Sequence, residues 1–196
     1  MKRLLSLVLG VLLAMGVLGI TQAANPDSMY VYVTVTGVLS VNILETSLDF
    51  GNVSANSSAV WTSSATVRND SDGITEKYKI KGSNSSPSNW TIASAATGPG
   101  ENRFVLYAAF HGSQPADADG TWSEDDLEST DRNCSDTVFT IDGTQKGTSV
   151  PANNPGDYSA SGSDRGMWFR IKTPTSLTVG SGTAQTITVT VTAEQG

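Results

Sequence analysis

A period of two constrains this chain more than any other feature. Met29, Val31, Val33 and Val35 alternate with Tyr30, Tyr32, Thr34 and Thr36, and Ile187, Val189 and Val191 alternate with Thr186, Thr188, Thr190 and Thr192. Successive side chains of an extended strand point to opposite faces, so these stretches place one set against a core and the other toward water. Thr and Val also suit the pleated surface. The pattern recurs at residues 60–68, where Trp61, Ala65 and Val67 share a side, and at residues 76–81, where Tyr78 and Ile80 turn inward and Lys77, Lys79 and Lys81 outward. Residues 38–43, 90–92, 137–141 and 167–172 supply further strand candidates. Residues 104–110 are almost continuously apolar, as expected of a strand covered on both faces. Gly37 is expected to mark a bulge or a bend between sheets. Turn chemistry separates the candidates, notably Asn69-Asp70-Ser71-Asp72-Gly73, Gly98-Pro99-Gly100 and Asp142-Gly143. Beyond residue 23 no helical apolar period stands out; at most residues 123–130, led by Glu124-Asp125-Asp126, suit a short turn of helix. The spacing predicts an all-β sandwich or barrel of about eight or nine strands.

The N-terminus reads as an export signal. Lys2 and Arg3 precede an apolar run over residues 4–20, and Thr21-Gln22-Ala23 ends it with small residues where a signal peptidase cuts. The alternative is an uncleaved membrane anchor, since the run is near the roughly 20 residues that span a bilayer. Cleavage after Ala23 is the preferred reading, because polar Asn25-Pro26-Asp27 follows. It divides the chain into a signal peptide (1–23) and one β-sandwich domain (24–196), enough for one well-buried core. No later stretch is apolar enough to span a membrane, so the expected location is secreted, extracellular, at the cell surface or in the periplasm.

The net charge of −7 argues against nucleic acid, which requires a basic face to displace counterions. One Cys and one His exclude an internal disulfide and a Cys/His zinc site. Cys134 is therefore either a buried, tolerated thiol, the preferred reading, or a partner for another chain.

The residues that carry chemistry point weakly to catalysis. His111 is the only imidazole available to activate a Ser, and there is no Gly-x-Ser-x-Gly elbow or Ser-x-x-Lys pair. His111 is read as a strand-end residue, and no catalytic, cofactor-binding or metal-ligating residue is assigned. Paired carboxylates running a glycosidase are the remaining enzymatic option. Residues 112–135 and 143–166 are long for sandwich connections, and the first is acidic: Asp117, Asp119, Glu124, Asp125, Asp126, Glu128 and Asp131, against Arg132. Asp117-Ala118-Asp119-Gly120 begins like an oxygen-rich calcium loop, although the rest departs from an EF-hand. No cofactor is expected, with calcium at this loop as the alternative. Trp168, Arg170 and Lys172 share one side of residues 167–172. Trp168 is either a sugar-stacking ring or, preferably, packed under a loop with Arg170 over it; Trp122 is the second ring considered, and Trp61 and Trp90 fit core positions. The row of Lys77, Lys79 and Lys81 reads as protection of a sheet edge, ahead of a basic stripe for an acidic partner. Asn-x-Ser/Thr triplets at Asn52, Asn56, Asn69, Asn84, Asn89 and Asn133 are assigned no role.

Leu48-Asp49-Phe50-Gly51-Asn52-Val53, followed by Val67-Arg68-Asn69-Asp70-Ser71, resembles the opening of immunoglobulin-like repeats of the ASPM/SPD-2/hydin type, which also occur in bacterial surface proteins. In them the Phe-Gly step starts a strand and an Asn ends the next strand at a turn. The resemblance covers residues 40–82 and implies a single immunoglobulin-like β-sandwich used for attachment or assembly, with no catalytic residue. Bacterial secreted sandwiches of the spore-coat-U or pilin-like kind are a second, more distant likeness, and usually carry paired Cys residues. The expectation is a secreted, non-enzymatic structural or adhesive surface subunit. The terminal stretches, Met29 to Val35 and Thr186 to Thr192, are expected either to pair with each other within one chain or to complete a neighbour's sheet by strand addition, the partner being the protein itself or another surface protein. The alternative is a polysaccharide-binding module using Trp122 or Trp168.

Overall fold

The computed structural model describes residues 32–33, 37–123, 125–135, 137–141 and 162–196. The expected signal peptide, most of the residue 29–35 strand and most of the second long loop lie outside the described residues. Residues Met1–Val35 are one unit, of which Tyr32 and Val33 are described, both exposed. Thr36–Gly196 is the second.

The described part of this second unit contains nine strands and one short 3-10 turn: β1 (Val41–Ile43), β2 (Ser58–Val60), β3 (Ala65–Asn69), β4 (Glu76–Gly82), β5 (Thr91–Ile92), β6 (Arg103–Phe110), the turn at Asp119–Thr121, β7 (Arg132–Asn133), β8 (Asp164–Lys172) and β9 (Val189–Gln195). They form two sheets. The larger runs β1-β3-β8-β6-β5, with β2 also on β8; the smaller runs β7-β4-β9. All pairs are antiparallel except β5 with β6. The all-β sandwich expected from the alternation is therefore the fold.

One core lies between the sheets. Phe104, Leu106, Ala108 and Phe110 of β6 and Met167, Phe169 and Ile171 of β8 meet Tyr78 and Ile80 of β4, with Val189, Val191 and Ala193 of β9 packed alongside. The continuous apolar run of β6 has the expected cause. Its other set, Val105, Tyr107 and Ala109, belongs to a second buried cluster with Trp122 and Trp168 on the outer face of the larger sheet. At β6 and the second half of β8 the sheet is buried on both sides.

Several local expectations are corrected. Residues 60–68 do not form one strand: β2 and β3 lie on the same edge of β8, with residues 61–64 looped out between registers Val60↔Arg170 and Ala65↔Met167. Four residues stand opposite two, so two are extra. An even insertion preserves facing, which is why Trp61, Ala65 and Val67 still share the core side. The Phe50-Gly51 step starts no strand. Gly51 sits at φ +65, its N–H donates to Asp49 Oδ1 (2.8 Å), and Phe50 packs edge-on against Trp61. Residues 137–141 form no strand beyond an isolated bridge of Thr140 to Phe110. Residues 125–127 are not helical: Ala108 N–H donates to the Asp125 carbonyl and Leu127 N–H to that of Leu106, so β6 holds this stretch extended. Asn69 does end β3 at a turn, where its Oδ1 accepts Ser71 N–H (2.8 Å) and its amide donates to the Ile74 carbonyl (2.8 Å).

Candidate functional site

The densest arrangement of charged and aromatic side chains lies on the outer face of the larger sheet. The β6–β8 register places Ala109 opposite Trp168, Tyr107 opposite Arg170 and Val105 opposite Lys172. Residues 111–123 cross over this row. The 3-10 turn at Asp119–Thr121 closes with Thr121 N–H to the Ala118 carbonyl and sets Trp122 down on Tyr107, with ring centroids 6.3 Å apart. Each buried indole finds a carbonyl: Trp122 Nε1 donates to Ala116 (2.9 Å) and Trp168 Nε1 to His111 (3.0 Å).

The charges then lock the crossing segment down. Arg170, only 2% exposed, reaches Asp117 Oδ1 through Nε (2.6 Å) and Asp119 Oδ1 through Nη2 (2.8 Å). Lys172 Nζ adds a contact to the same Asp119 oxygen at 2.8 Å. Ser58 on β2 donates to the Asp117 carboxylate. The guanidinium lies 5.3 Å from the Tyr107 ring centroid. Hydrogen bonds from Lys172 and Arg170 hold the Asp119 carboxyl below its usual range, and burial pushes the Tyr107 phenol up.

This geometry corrects the ring-stacking expectation. Trp122 is 1% exposed and Trp168 8%, so neither offers a face to a sugar. The preferred packing under a loop is what Trp168 adopts, except that Arg170 sits over Tyr107 instead of over Trp168. Trp61 and Trp90 pack against the main core as expected.

The acidic segment is dispersed. Asp117 and Asp119 go to Arg170 and Lys172, Asp126 to Arg132 (2.9 Å), and Asp131 to Lys81 (3.4 Å). Asp125 is fully buried, and Glu124 is outside the described residues. Among the described residues no three His, Cys, Asp or Glu side chains converge as a metal site. The loop that resembled a calcium site thus opens with two carboxylates committed to cationic side chains. His111 Nδ1 accepts the Ser113 N–H at 3.1 Å within its own turn. Cys134 is buried, and burial pushes its thiol up, away from thiolate chemistry and from pairing with another chain.

The lysine row is also relocated. β4 is the middle strand of its sheet, so Lys77, Lys79 and Lys81 guard no edge; Lys79 pairs with Glu194 instead (2.5 Å). The edge of that sheet is β9. Ser83 N–H donates to the Thr188 carbonyl and Gly196 N–H to that of Thr75, which fixes the phase of the ladder. Thr190, Thr192 and Glu194 therefore bond to β4, and the backbone groups of Val189, Val191, Ala193 and Gln195 point away from it. Among the described residues, nothing pairs with that outer row. Sequence spacing could not relate Asp117 to Arg170, because that depends on strand order, whereas the alternation over residues 186–192 already marked the β9 region as a pairing strand. A cleft of about 310 Å³ lined by Ile92, Ala93, Ser94, Thr97, Arg103, Glu128 and Ser129 lies elsewhere, without an aromatic wall.

No protein-family model matches the chain, and no curated protein matches it.

Proposed function

We propose that this protein is a secreted, non-enzymatic structural or adhesive subunit of a cell surface or extracellular layer, associating with itself or with another surface protein by strand addition. The carrying observation is the outer edge of β9: seven residues, Val189–Gln195, whose outward backbone groups have no partner among the described residues. Edge strands are ordinarily blunted by Lys, Pro, a bulge or brevity. β9 carries neither Lys nor Pro, and its one charge, Glu194, is tied to Lys79. An incoming extended segment gains main-chain hydrogen bonds along such an edge. The immunoglobulin-like resemblance supports the same reading, since those repeats serve attachment and assembly. The commitment of Asp117, Asp119, Arg170 and Lys172 to one another favours a stiff scaffold over a reactive cleft.

The test is the size of the chain lacking residues 1–23, by light scattering and electron microscopy, for the native sequence and for Ala193→Pro. The Ala193 N–H points outward, so proline there removes no bond to β4 while blocking the edge. Assemblies in the native protein that are lost in Ala193→Pro support the reading. A native protein that stays monomeric at high concentration refutes self-association.

A further inference from the structure

The edge of β6 facing away from β8 is completed by three separate pieces. Thr91–Ile92 runs beside Arg103 and Phe104, Asp126 bridges Tyr107, and Thr140 bridges Phe110. Asp125 joins the second piece to the third. Its carbonyl accepts Ala108 N–H (2.9 Å), and its carboxylate Oδ1 accepts Thr140 N–H (3.1 Å). Its Oδ2 is buried with no hydrogen-bond partner among the described residues. The piece it holds is not relaxed: Phe139 is a non-glycine residue at φ +59, and its carbonyl accepts Phe110 N–H (2.9 Å).

We propose that Asp125 is a protonation-gated latch: its neutral carboxyl holds residues 139–141 against β6, and its ionisation loosens that piece and uncovers the β6 edge at Phe110.

A buried carboxylate needs its oxygens satisfied, and among the described residues nothing donates to Oδ2. The groups around it are few. Arg132 of β7 favours the charged form, but its guanidinium is hydrogen-bonded to Asp126 and lies over the Phe139 ring at 5.3 Å. Asp126 opposes the charged form, Cys134 is a buried thiol, and Tyr107 of β6 belongs to the outer-face cluster. Burial outweighs the amides of Phe139 and Thr140 and the Arg132 charge, and pushes the Asp125 carboxyl up to about 8. The switch therefore falls near neutral to mildly alkaline pH. It is independent of the β9 edge and adds a second, conditional edge on the other sheet.

The test is amide exchange of the full chain between about pH 6 and pH 9.5, corrected for intrinsic rates, on native protein and Asp125→Asn. The expected result is about a tenfold or greater loss of protection at Phe110 and Thr140 through pH 8 in native protein, absent in Asp125→Asn, with β4 and β9 amides unchanged. Equal loss in both proteins, no loss in either, or a simultaneous loss across β4 and β9 overturns the latch. Should Asp125→Asn fail to fold, native protein decides: a carbon-13 midpoint of the Asp125 carboxyl above about 6.5 with loss of protection at Phe110 and Thr140 over the same pH range supports the proposal, and a lower midpoint, or titration without that loss, overturns it.

Discussion

Trp122→Ala separates a ring that seals the outer face from a ring that binds a ligand. The indole is 1% exposed, lies on Tyr107, and donates to the Ala116 carbonyl at 2.9 Å. Burying roughly 200 Å² of aromatic side chain at about 25 cal/mol per Å² gives about 5 kcal/mol as an upper estimate. The covering segment can settle partway into the gap, because Asp117 and Asp119 still pin it to Arg170 and Lys172. The loss of the Ala116 hydrogen bond adds little once that carbonyl meets water. The expected destabilisation is thus about 3–4 kcal/mol, inside the usual range for large aromatic truncations. Urea unfolding followed by far-ultraviolet circular dichroism measures it, with an unchanged slope showing that the two-state comparison holds. Trp122→Phe should recover more than half of the loss. A cost below about 1 kcal/mol would show that Trp122 does not seal the cluster and would reopen the ring-stacking reading.

Arg170→Met should cost about 1–2 kcal/mol in the same assay, less than the 3–5 typical of a broken buried pair. The carboxylates it abandons are on the surface side, with Asp117 38% and Asp119 71% exposed, and Lys172 keeps Asp119. Thr192→Pro should destabilise the fold by about 3 kcal/mol or more while Ala193→Pro does not, because Thr192 bonds to β4 and Ala193 points outward; equal effects would refute the assigned ladder phase. Stability should fall as pH rises. The Asp125 carboxyl is raised in the folded state, so folding takes up a proton between the usual carboxylate range and about 8. Its contribution is complete below about pH 4 and is lost through pH 8, on the order of a few kcal/mol, and Asp125→Asn should flatten the profile measured by urea midpoints.

What was legible in the sequence follows from what two-residue alternation encodes. Alternation fixes facing, so the inward Tyr78 and Ile80, the inward Trp61, Ala65 and Val67 on either side of an unforeseen loop, and the doubly covered β6 were all readable. It encodes nothing about neighbours. That left the lysines of β4 assigned to an edge they do not occupy, and left open how Asp117 would find Arg170, since these are 53 residues apart and meet only because β8 lies between β6 and the β2–β3 edge. The acidic segment misled for a related reason. Charge density along a chain makes a cation site only if the carboxylates converge on one point, and here Asp117 and Asp119 share Arg170 of β8 while Asp126 and Asp131 turn to Arg132 and Lys81. Trp168 shows how far the pattern can be pushed. Facing placed it correctly on the outer side with Arg170 and Lys172, but exposure depends on whether another segment covers that side. The segment that does so is anchored by those two cations.

The two sheets differ as surfaces for the same reason. The larger sheet needs its second face covered because Val105, Tyr107, Ala109 and Trp168 are too apolar to face water, and the chain spends residues 111–123 and four charges on covering it. β4 and β9 carry Lys and Thr on their outward positions, so that face of the smaller sheet needs no cover, and among the described residues the side of its last strand is unpaired. Folding does not require such an edge, since a glutamate in place of Thr190 or Thr192 would have blunted it opposite the lysines of β4 without touching the core. Thr190→Glu with Thr192→Glu, each opposite a lysine of β4 (Lys81 and Lys79), should leave stability within about 1 kcal/mol of native and reduce any association seen by light scattering. Association that persists in this double variant would move the contact away from β9, and with it the basis for the proposed assembly.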